Sequence, residues 1–127
     1  MPGAVRAGAS CYVSRLLARA RTVYEEIPDW QQKYPVWLAA LDAFCPQHHG
    51  VPLTDLSPQQ AEAVVAGLDA GSLASLDSAV DQKLAFKTFY RHCIQGCFDD
   101  PRWGGNRDRV MWRWIGYLQQ PKEVRQP

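Results

Sequence analysis

Cysteine and histidine are the side chains of this chain best suited to bind a metal ion or attack a substrate. Cys45 and His48 lie three positions apart, and Cys93 and Cys97 lie four apart. Structural zinc prefers thiolate and imidazole ligands, but its sites usually combine two tight pairs of the Cys-x-x-Cys type. The spacing matches no common zinc finger. We therefore assign no metal ligand and keep a free-standing helical thiol or metal-binding domain, built on these four residues, as the alternative interpretation.

The candidate catalytic groups are neighbours along the chain. His92 precedes Cys93, and Asp99 precedes Asp100. Adjacent positions on a helix point about 100° apart, so such pairs do not face each other as a nucleophile and its base must. The sequence also contains no Gly-rich phosphate loop after a strand and no Cys-x-x-Cys-His haem motif. We expect no catalytic residue and no cofactor in this chain.

The cysteine spacing also bears on disulfide pairing. Side chains four apart on a helix have Cβ atoms about 5 to 6 Å apart, whereas a disulfide needs roughly 3.5 to 4.5 Å. Cys93 and Cys97 are therefore not expected to bond each other. In an oxidising compartment each could instead pair with Cys11 or Cys45, and in a reducing one all four are free thiols.

Basic and aromatic side chains are interleaved in the segment that begins at Asp99. They are Arg102, Trp103, Arg107, Arg109, Trp112, Arg113, Trp114 and Tyr117. Single-strand nucleic-acid grooves use this combination, but three aspartates are interspersed and the formal net charge is only +1. Trp, Tyr and Arg also dominate the anchors of protein interfaces. The segment favours a protein partner, recognised by shape, over nucleic acid.

Apolar spacing of three and four residues predicts helices throughout, with no alternation of the strand type. We predict an all-α single domain of about five helices over residues 1–127, with 119–127 as an extended tail. Pro46 is expected to stop the second helix and Asn106 to cap the last. The predicted helices cover residues 10–27, 29–46, 57–71, 77–98 and 107–118.

The longest apolar runs are a few residues, far below the roughly 18 to 20 that span a bilayer. The first eight residues, Met-Pro-Gly-Ala-Val-Arg-Ala-Gly, contain no apolar stretch with a cleavage site. We expect no direct membrane insertion and no export signal in the sequence as written.

The segment 96–108 reads Gly-Cys-Phe-Asp-Asp-Pro-Arg-Trp-Gly-Gly-Asn-Arg-Asp, and residues 112–117 read Trp-Arg-Trp-Ile-Gly-Tyr. This order resembles the gluconate 2-dehydrogenase subunit 3 family, in which an Asp-Pro-x-aromatic-Gly-Gly-Asn-Arg run leads to a Trp-Lys/Arg-x-Ile-Gly-aromatic ending. Residues 37–42 and 56–60 are similar more loosely. The resemblance spans nearly the whole chain, and its specific part is residues 96–117.

The resemblance implies a non-catalytic small subunit of an FAD-dependent sugar or polyol dehydrogenase complex. The partner would be a large flavoprotein subunit of the glucose-methanol-choline class, which carries the FAD and the catalysis. A multi-haem cytochrome c subunit often takes the electrons in such complexes. The resemblance places the complex in the periplasm or facing it, whereas the absence of a signal in the sequence leaves the cytoplasm open.

The signature also suggests where the partner binds. Gly104 and Gly105 allow a tight turn, so Trp103 and Arg107 are presented at a defined position. The competing interpretation is that the signature packs inside the small subunit itself. The predicted partner interface comprises Asp100, Arg102, Trp103, Gly104, Gly105, Asn106, Arg107 and Trp112.

Overall fold

The computed structural model describes residues 3–19 and 25–116. Within these residues the regular structure is helical and no strand occurs, which confirms the all-α prediction. The predicted tail over 119–127 lies outside the described residues. The α-helices are α1 (Ala4–Ala7), α2 (Ala9–Leu17), α3 (Ile27–His49), α4 (Pro58–Ala70), α5 (Gln82–Phe98) and α6 (Val110–Trp114).

The chain divides into two compact units. The first contains residues 1–19 and 91–127, and the second contains residues 20–90. The organisation as a single domain stays a prediction. None of the helices in the described residues is both long enough and apolar enough to cross a membrane.

Helix α3 supplies most of the core of the second unit. Trp30, Tyr34, Trp37 and Leu41 follow one another at spacings of three and four and are all buried. The ring of Phe89 on α5 lies 5.3 Å from that of Tyr34 and 5.5 Å from that of Trp37, between ring centroids. Tilted and edge-to-face pairs at these distances add to the free energy gained by burial. This aromatic cluster joins α3 to the first half of α5.

The predicted stop of this helix at Pro46 is wrong. Helix α3 continues through Pro35 and Pro46 and ends at His49, with Gly50 at φ 72° and its N–H bonded to the carbonyl oxygen of Pro46. A proline removes a single N–H donor from the helical hydrogen-bond ladder and need not end the helix, as Pro35 and Pro46 show here. Glycine adopts the left-handed conformation without a steric penalty, so Gly50 is the actual terminator.

Helix α4 begins and ends as predicted. The Ser57 hydroxyl accepts the N–H of Gln60 at 3.1 Å, and the Gln60 side chain accepts the N–H of Ser57 at 3.0 Å. Pro58 occupies the first turn, and Gly71 ends the helix at φ 68°. The capping box satisfies two backbone donors that a helix N-terminus otherwise leaves without partners.

Helix α5 begins five residues later than the prediction of a start at Asp77. The Asp77 carboxylate accepts the N–H of Ala79 at 2.9 Å and so forms a local turn instead of a helix. The Asp81 carboxylate accepts the N–H of Leu84 at 3.1 Å and acts as the N-cap. Two aspartates in one linker made this boundary ambiguous in the sequence.

The first unit is built from α1, α2, the second half of α5 and α6. In its core Ala7, Ala9, Cys97 and Met111 are buried together, and Tyr12 and Leu16 of α2 are also buried. The Tyr12 hydroxyl donates to the Gln95 side chain at 3.0 Å and links α2 to α5. The predicted helix over 10–27 is corrected, because α2 ends at Leu17 and Ile27 begins α3.

We predict that Ser57→Ala lowers the free energy of unfolding by about 1 kcal/mol, because it removes the hydroxyl of the capping box. Urea unfolding of the full chain, followed by circular dichroism, measures the change. Gln59→Ala is the matched control, since Gln59 lies exposed on the same helical turn. Equal stability of the two variants would contradict this role for Ser57.

Candidate functional site at the end of helix α5

The signature segment folds directly after α5 into a tight turn, residues 99–109, which we term the α5 corner. The Asp100 carboxylate accepts the N–H of Arg102 at 3.0 Å and caps a 3₁₀ turn over Pro101–Trp103. Gly104 ends that turn at φ 108°, where a side chain would be strained. The chain then reverses and leads to a second 3₁₀ turn, Arg107–Arg109.

The α5 corner and Trp112 of α6 supply hydrogen-bond donors to the carbonyl groups at the end of α5. The N–H of Asn106 donates to the Gly96 oxygen at 2.7 Å, and the Asn106 side-chain amide donates to the Asp99 oxygen at 3.1 Å. The indole N–H of Trp112 donates to the Phe98 oxygen at 2.6 Å. A helix C-terminus leaves such carbonyls without intrahelical partners. Asn106 and Trp112 therefore act as the C-terminal cap of α5.

Three backbone segments meet at Gly96. A Cβ on Gly96 would lie 2.9 Å from the Cα of Ala9 at the start of α2, and a Cβ on Gly105 would overlap the carbonyl group of Gly96. Real Cβ atoms do not approach other atoms this closely, so both positions exclude a side chain. Glycine at 96 and 105 is thus required by the packing of the first unit itself.

Asn106 is fully buried and has a left-handed backbone with φ 46°. Besides its bond to Asp99, its side-chain oxygen accepts the N–H of Met111 at 3.0 Å. The prediction that Asn106 caps a helix beginning at Arg107 is corrected. The last helix, α6, begins at Val110, and the Asn106 side chain reaches the N–H of its second residue, Met111. Asparagine suits the position because it tolerates left-handed dihedrals and both donates and accepts.

The other half of the signature points outward. The Trp103 side chain is 44% exposed. The guanidinium carbon of Arg19 lies 4.6 Å from the centroid of its ring, and that of Arg102 lies 5.3 Å from it. Arg15 packs against Gly104, since a Cβ atom on Gly104 would lie 2.8 Å from the Cδ atom of Arg15. We term Arg15, Arg19, Arg102 and Trp103 the Trp103 cluster.

Arg107 is exposed and its guanidinium lies over Gly8, where a Cβ would approach it to 2.9 Å. Gly8 links α1 to α2 with φ 71°. The Arg107 side chain therefore covers backbone of the N-terminal segment and still presents polar atoms to solvent.

The structure thus divides the predicted interface into two groups. Gly105 and Asn106 are buried, and Trp112 is half-buried with its indole bonded to α5. The outward group is Arg102, Trp103 and Arg107, with Asp100 and Gly104 half-buried between the two groups. The prediction that these residues bind a partner is untested by this geometry.

Sequence reasoning missed Arg15 and Arg19. Both lie more than 80 positions before Trp103, so nothing local in the sequence connects them to it. One feature of the sequence could have linked the two arginines to each other. They are four positions apart, and helical residues with this spacing lie on the same side of a helix. Contact with the α5 corner arises only from the tertiary packing.

All four cysteines are free thiols in the structure. Burial and the nearby Cys93 raise the pKa of the Cys97 thiol to about 11, and burial together with Asp42 raises the pKa of Cys45. These two thiols are protonated and chemically quiet at neutral pH. Pairing of Cys93 or Cys97 with Cys11 or Cys45 stays a prediction.

His48, one of the four residues of the metal-binding alternative, has other partners in the structure. The His48 ring nitrogens lie 3.1 Å from the Phe44 carbonyl oxygen and 2.8 Å from the Ser75 hydroxyl. Among the residues that the structure describes, no group of three or more His, Cys, Asp or Glu side chains lies together as metal ligands would. The geometry gives the alternative no support.

His92 is fully buried on α5, and its pKa is lowered to about 4. Burial is the main cause because it disfavours the charged imidazolium, and the positive charge of Arg91 adds to it. His92 is therefore a neutral core residue at pH 7. Together with the regular helix through Cys93, this excludes an exposed His92–Cys93 dyad.

Comparison with known proteins identifies the family. The family model described as Gluconate 2-dehydrogenase subunit 3 matches residues 1–119 of the 127. No curated protein and no solved structure gives a significant match. The chain has the all-α fold of a small accessory subunit of a dehydrogenase complex. It belongs to the gluconate 2-dehydrogenase subunit 3 family.

We predict that Asn106→Ala lowers the free energy of unfolding by about 3 kcal/mol, because it leaves the Asp99 carbonyl and the Met111 N–H buried without partners. Asp108→Ala is the control, since Asp108 is exposed but has a similar backbone φ of 56°. The control measures the free-energy cost of placing alanine in a left-handed backbone conformation without removing the Asn106 hydrogen bonds. Chemical unfolding of both variants gives the comparison, and an equal loss would show that the Asn106 side-chain bonds contribute nothing.

We also predict that stability falls as the pH drops from 6.5, the ordinary pKa of histidine, towards about 4, the pKa of folded His92. In this range the unfolded chain binds a proton at His92 that the folded chain does not, so stability rises with pH. A shift of this size corresponds to roughly 3 kcal/mol below both pKa values. Urea titrations at several pH values should show a shallower dependence for His92→Gln than for the wild type or His49→Gln. Three parallel profiles would refute the assignment.

Proposed function

We propose that this chain is the non-catalytic small subunit that binds and stabilises the large FAD-containing subunit of a sugar or polyol dehydrogenase. The partner is a flavoprotein of the glucose-methanol-choline class, which holds the FAD and performs the oxidation. The proposal extends the family assignment, which covers residues 1–119, to a named partner and a division of labour.

The observation that carries the proposal is the exposure of Trp103. The inward half of the signature already accounts for the internal packing of the α5 corner through Gly105, Asn106 and Trp112. Internal packing gives no reason to leave an indole 44% exposed between two guanidinium groups. Trp and Arg are the residues most enriched among the energetic anchors of protein interfaces. We therefore assign the inward residues of the signature to internal packing and propose its outward residues for contact with the partner.

The buried titratable groups support a role without catalysis. His92 is neutral in the core, and Cys97 is a protonated thiol packed against Ala7, Ala9 and Met111. Groups that abstract protons or attack substrates need access to them and a pKa close to the working pH. These side chains serve the packing of the first unit instead.

The small subunit acts on its partner through mass action. A protein that binds only the folded form of the flavoprotein shifts the folding equilibrium towards that form. The same linkage stabilises the small subunit. We further propose that the complex works in or facing the periplasm and passes its electrons to a cytochrome c subunit.

We predict that the tagged full chain copurifies with a yellow flavoprotein when the two are expressed together. Sugar oxidation with an artificial electron acceptor and the flavin absorbance should follow the complex and be missing from the small subunit alone. Sugar turnover by the lone chain, or the absence of any flavoprotein from the complex, would refute the proposal.

Within that complex, Trp103→Ala should weaken binding by about 2 kcal/mol, or about 30-fold in Kd. It should lower the unfolding free energy of the lone chain by only about 1 kcal/mol, because the ring is partly exposed and its cation–π contacts lie at the surface. Tyr90→Ala, which removes an aromatic ring that is 59% exposed in the second unit, is the matched control. A folded Trp103→Ala variant that binds normally would remove Trp103 from the interface.

A further inference from the structure

Charge is strongly segregated between the two units, although the whole chain carries a net charge of only +1. Residues 1–19 and 91–127 contain ten basic and four acidic side chains, a net charge of +6. Residues 20–90 contain four basic and nine acidic side chains, a net charge of −5. Balanced composition therefore hides one basic and one acidic unit.

The two units also differ in the kind of cation. Nine of the ten arginines lie in the first unit, whereas three of the four lysines lie in the second. Guanidinium is weakly hydrated, stacks on aromatic rings and offers a planar fork of donors that matches a carboxylate, whereas ammonium is a strongly hydrated point charge. The first unit thus carries the cation suited to interfaces.

The Trp103 cluster concentrates these properties at one place. Arg19 and Arg102 lie over the Trp103 ring, and Arg15 lies against the adjacent Gly104. Arg19 also lies 5.6 Å from the ring centroid of Tyr12. Contact with aromatic rings restricts these long side chains, so less conformational entropy is lost when they bind a second group.

The cluster has an excess of positive charge. Its one ion pair with a carboxylate within the described residues joins Arg102 to Asp100 at 3.6 Å, with the Arg102 side chain 70% and the Asp100 side chain 43% accessible to solvent. Arg15 and Arg19 form no ion pair with any carboxylate that the structure describes. The three arginines of the cluster and the one carboxylate paired with them together carry a formal charge of +2.

We propose that the Trp103 cluster binds a carboxylate-rich patch on the large flavoprotein subunit, with the Trp103 indole entering an apolar pocket inside that patch. This inference rests on the proposed function and specifies the chemistry of the partner surface. Charge complementarity replaces the earlier expectation, drawn from the net charge, that the partner is recognised by shape alone. Arginine forks then set the orientation of the complex, and opposite charge speeds its formation.

A protein surface fits the cluster better than a nucleic acid or an anionic membrane does. Asp99, Asp100 and Asp108 lie in the same α5 corner as Arg102 and Arg107. A continuous array of phosphates would approach these carboxylates as well as the arginines, whereas a protein patch can place an acid opposite each arginine and other groups opposite the aspartates.

The test uses two double variants of the full chain that alter the net charge equally. Arg15→Glu with Arg19→Glu changes the cluster, and Lys83→Glu with Lys87→Glu changes two exposed lysines on α5 outside it. Each takes the formal net charge from +1 to −3. Binding to the copurified flavoprotein is measured by titration, and circular dichroism checks that each variant is folded.

We expect the arginine double variant to bind about 30-fold or more weakly and the lysine double variant to bind within about threefold of the wild type. Arg15→Lys with Arg19→Lys, which keeps the charge and loses the forks, should fall between them. Affinity of the wild type should drop between about 0.1 M and about 1 M salt, as the screening length falls from about 10 to about 3 Å.

The outcomes separate the inference from the proposed function. A flavoprotein complex that is insensitive to salt, or equally sensitive to both double variants, overturns the acidic patch and leaves the accessory role intact. Failure to form any flavoprotein complex overturns both. Tighter binding to single-stranded DNA or to phosphatidylglycerol vesicles, lost in the arginine variant, assigns the cluster to phosphate instead and also overturns the inference.

Discussion

The carbonyl oxygens at the end of helix α5 are the constraint on which the first unit depends. Gly96 is buried against the start of α2 and Phe98 and Asp99 are half-buried, so their carbonyls need donors, because a carbonyl shielded from water without a partner costs more than a hydrogen bond returns. Asn106 supplies two of those donors, and the approach of its backbone to Gly96 requires glycine at 105. Three left-handed residues, Asn106, Asp108 and Arg109, complete the reversal at a cost in backbone strain that these bonds offset. The outward position of Trp103 follows from this cap.

Local signals in the sequence predicted much of the fold. Ser57 with Gln60 and the glycine at 71 marked both ends of α4, because capping is determined by a few neighbouring residues. Pro46 was misleading because a proline removes one helical N–H donor without necessarily ending the helix, and Asp77 competed with Asp81 for the start of α5. The candidate site was predicted only as a segment. That Asn106 turns inward, and that Arg15 and Arg19 come to Trp103, depends on contacts between distant parts of the chain that no local pattern encodes.

The family signature therefore combines two physical requirements in one short run of residues. Gly96, Gly105 and Asn106 are set by the close approach of backbones, and almost no other residue fits there. Arg102, Trp103 and Arg107 meet no such restriction, since each is exposed. Their side chains are free to suit another surface. Most arginines of the chain lie in the first unit, which also contains Arg102, Trp103 and Arg107. The outward residues of the signature therefore belong to the unit that is rich in arginine.

The first unit is discontinuous along the chain, and this shapes the order in which it forms. The bond from Tyr12 to Gln95 joins residues 83 positions apart, so its formation closes a long loop at an entropic cost that local helices do not bear. The second unit is one continuous stretch, residues 20–90. During synthesis, residues 3–19 leave the ribosome before residues 91–116 and cannot pack against them until those residues follow. The Trp103 cluster, which takes residues from both ends, exists only on a chain whose helices are already in place.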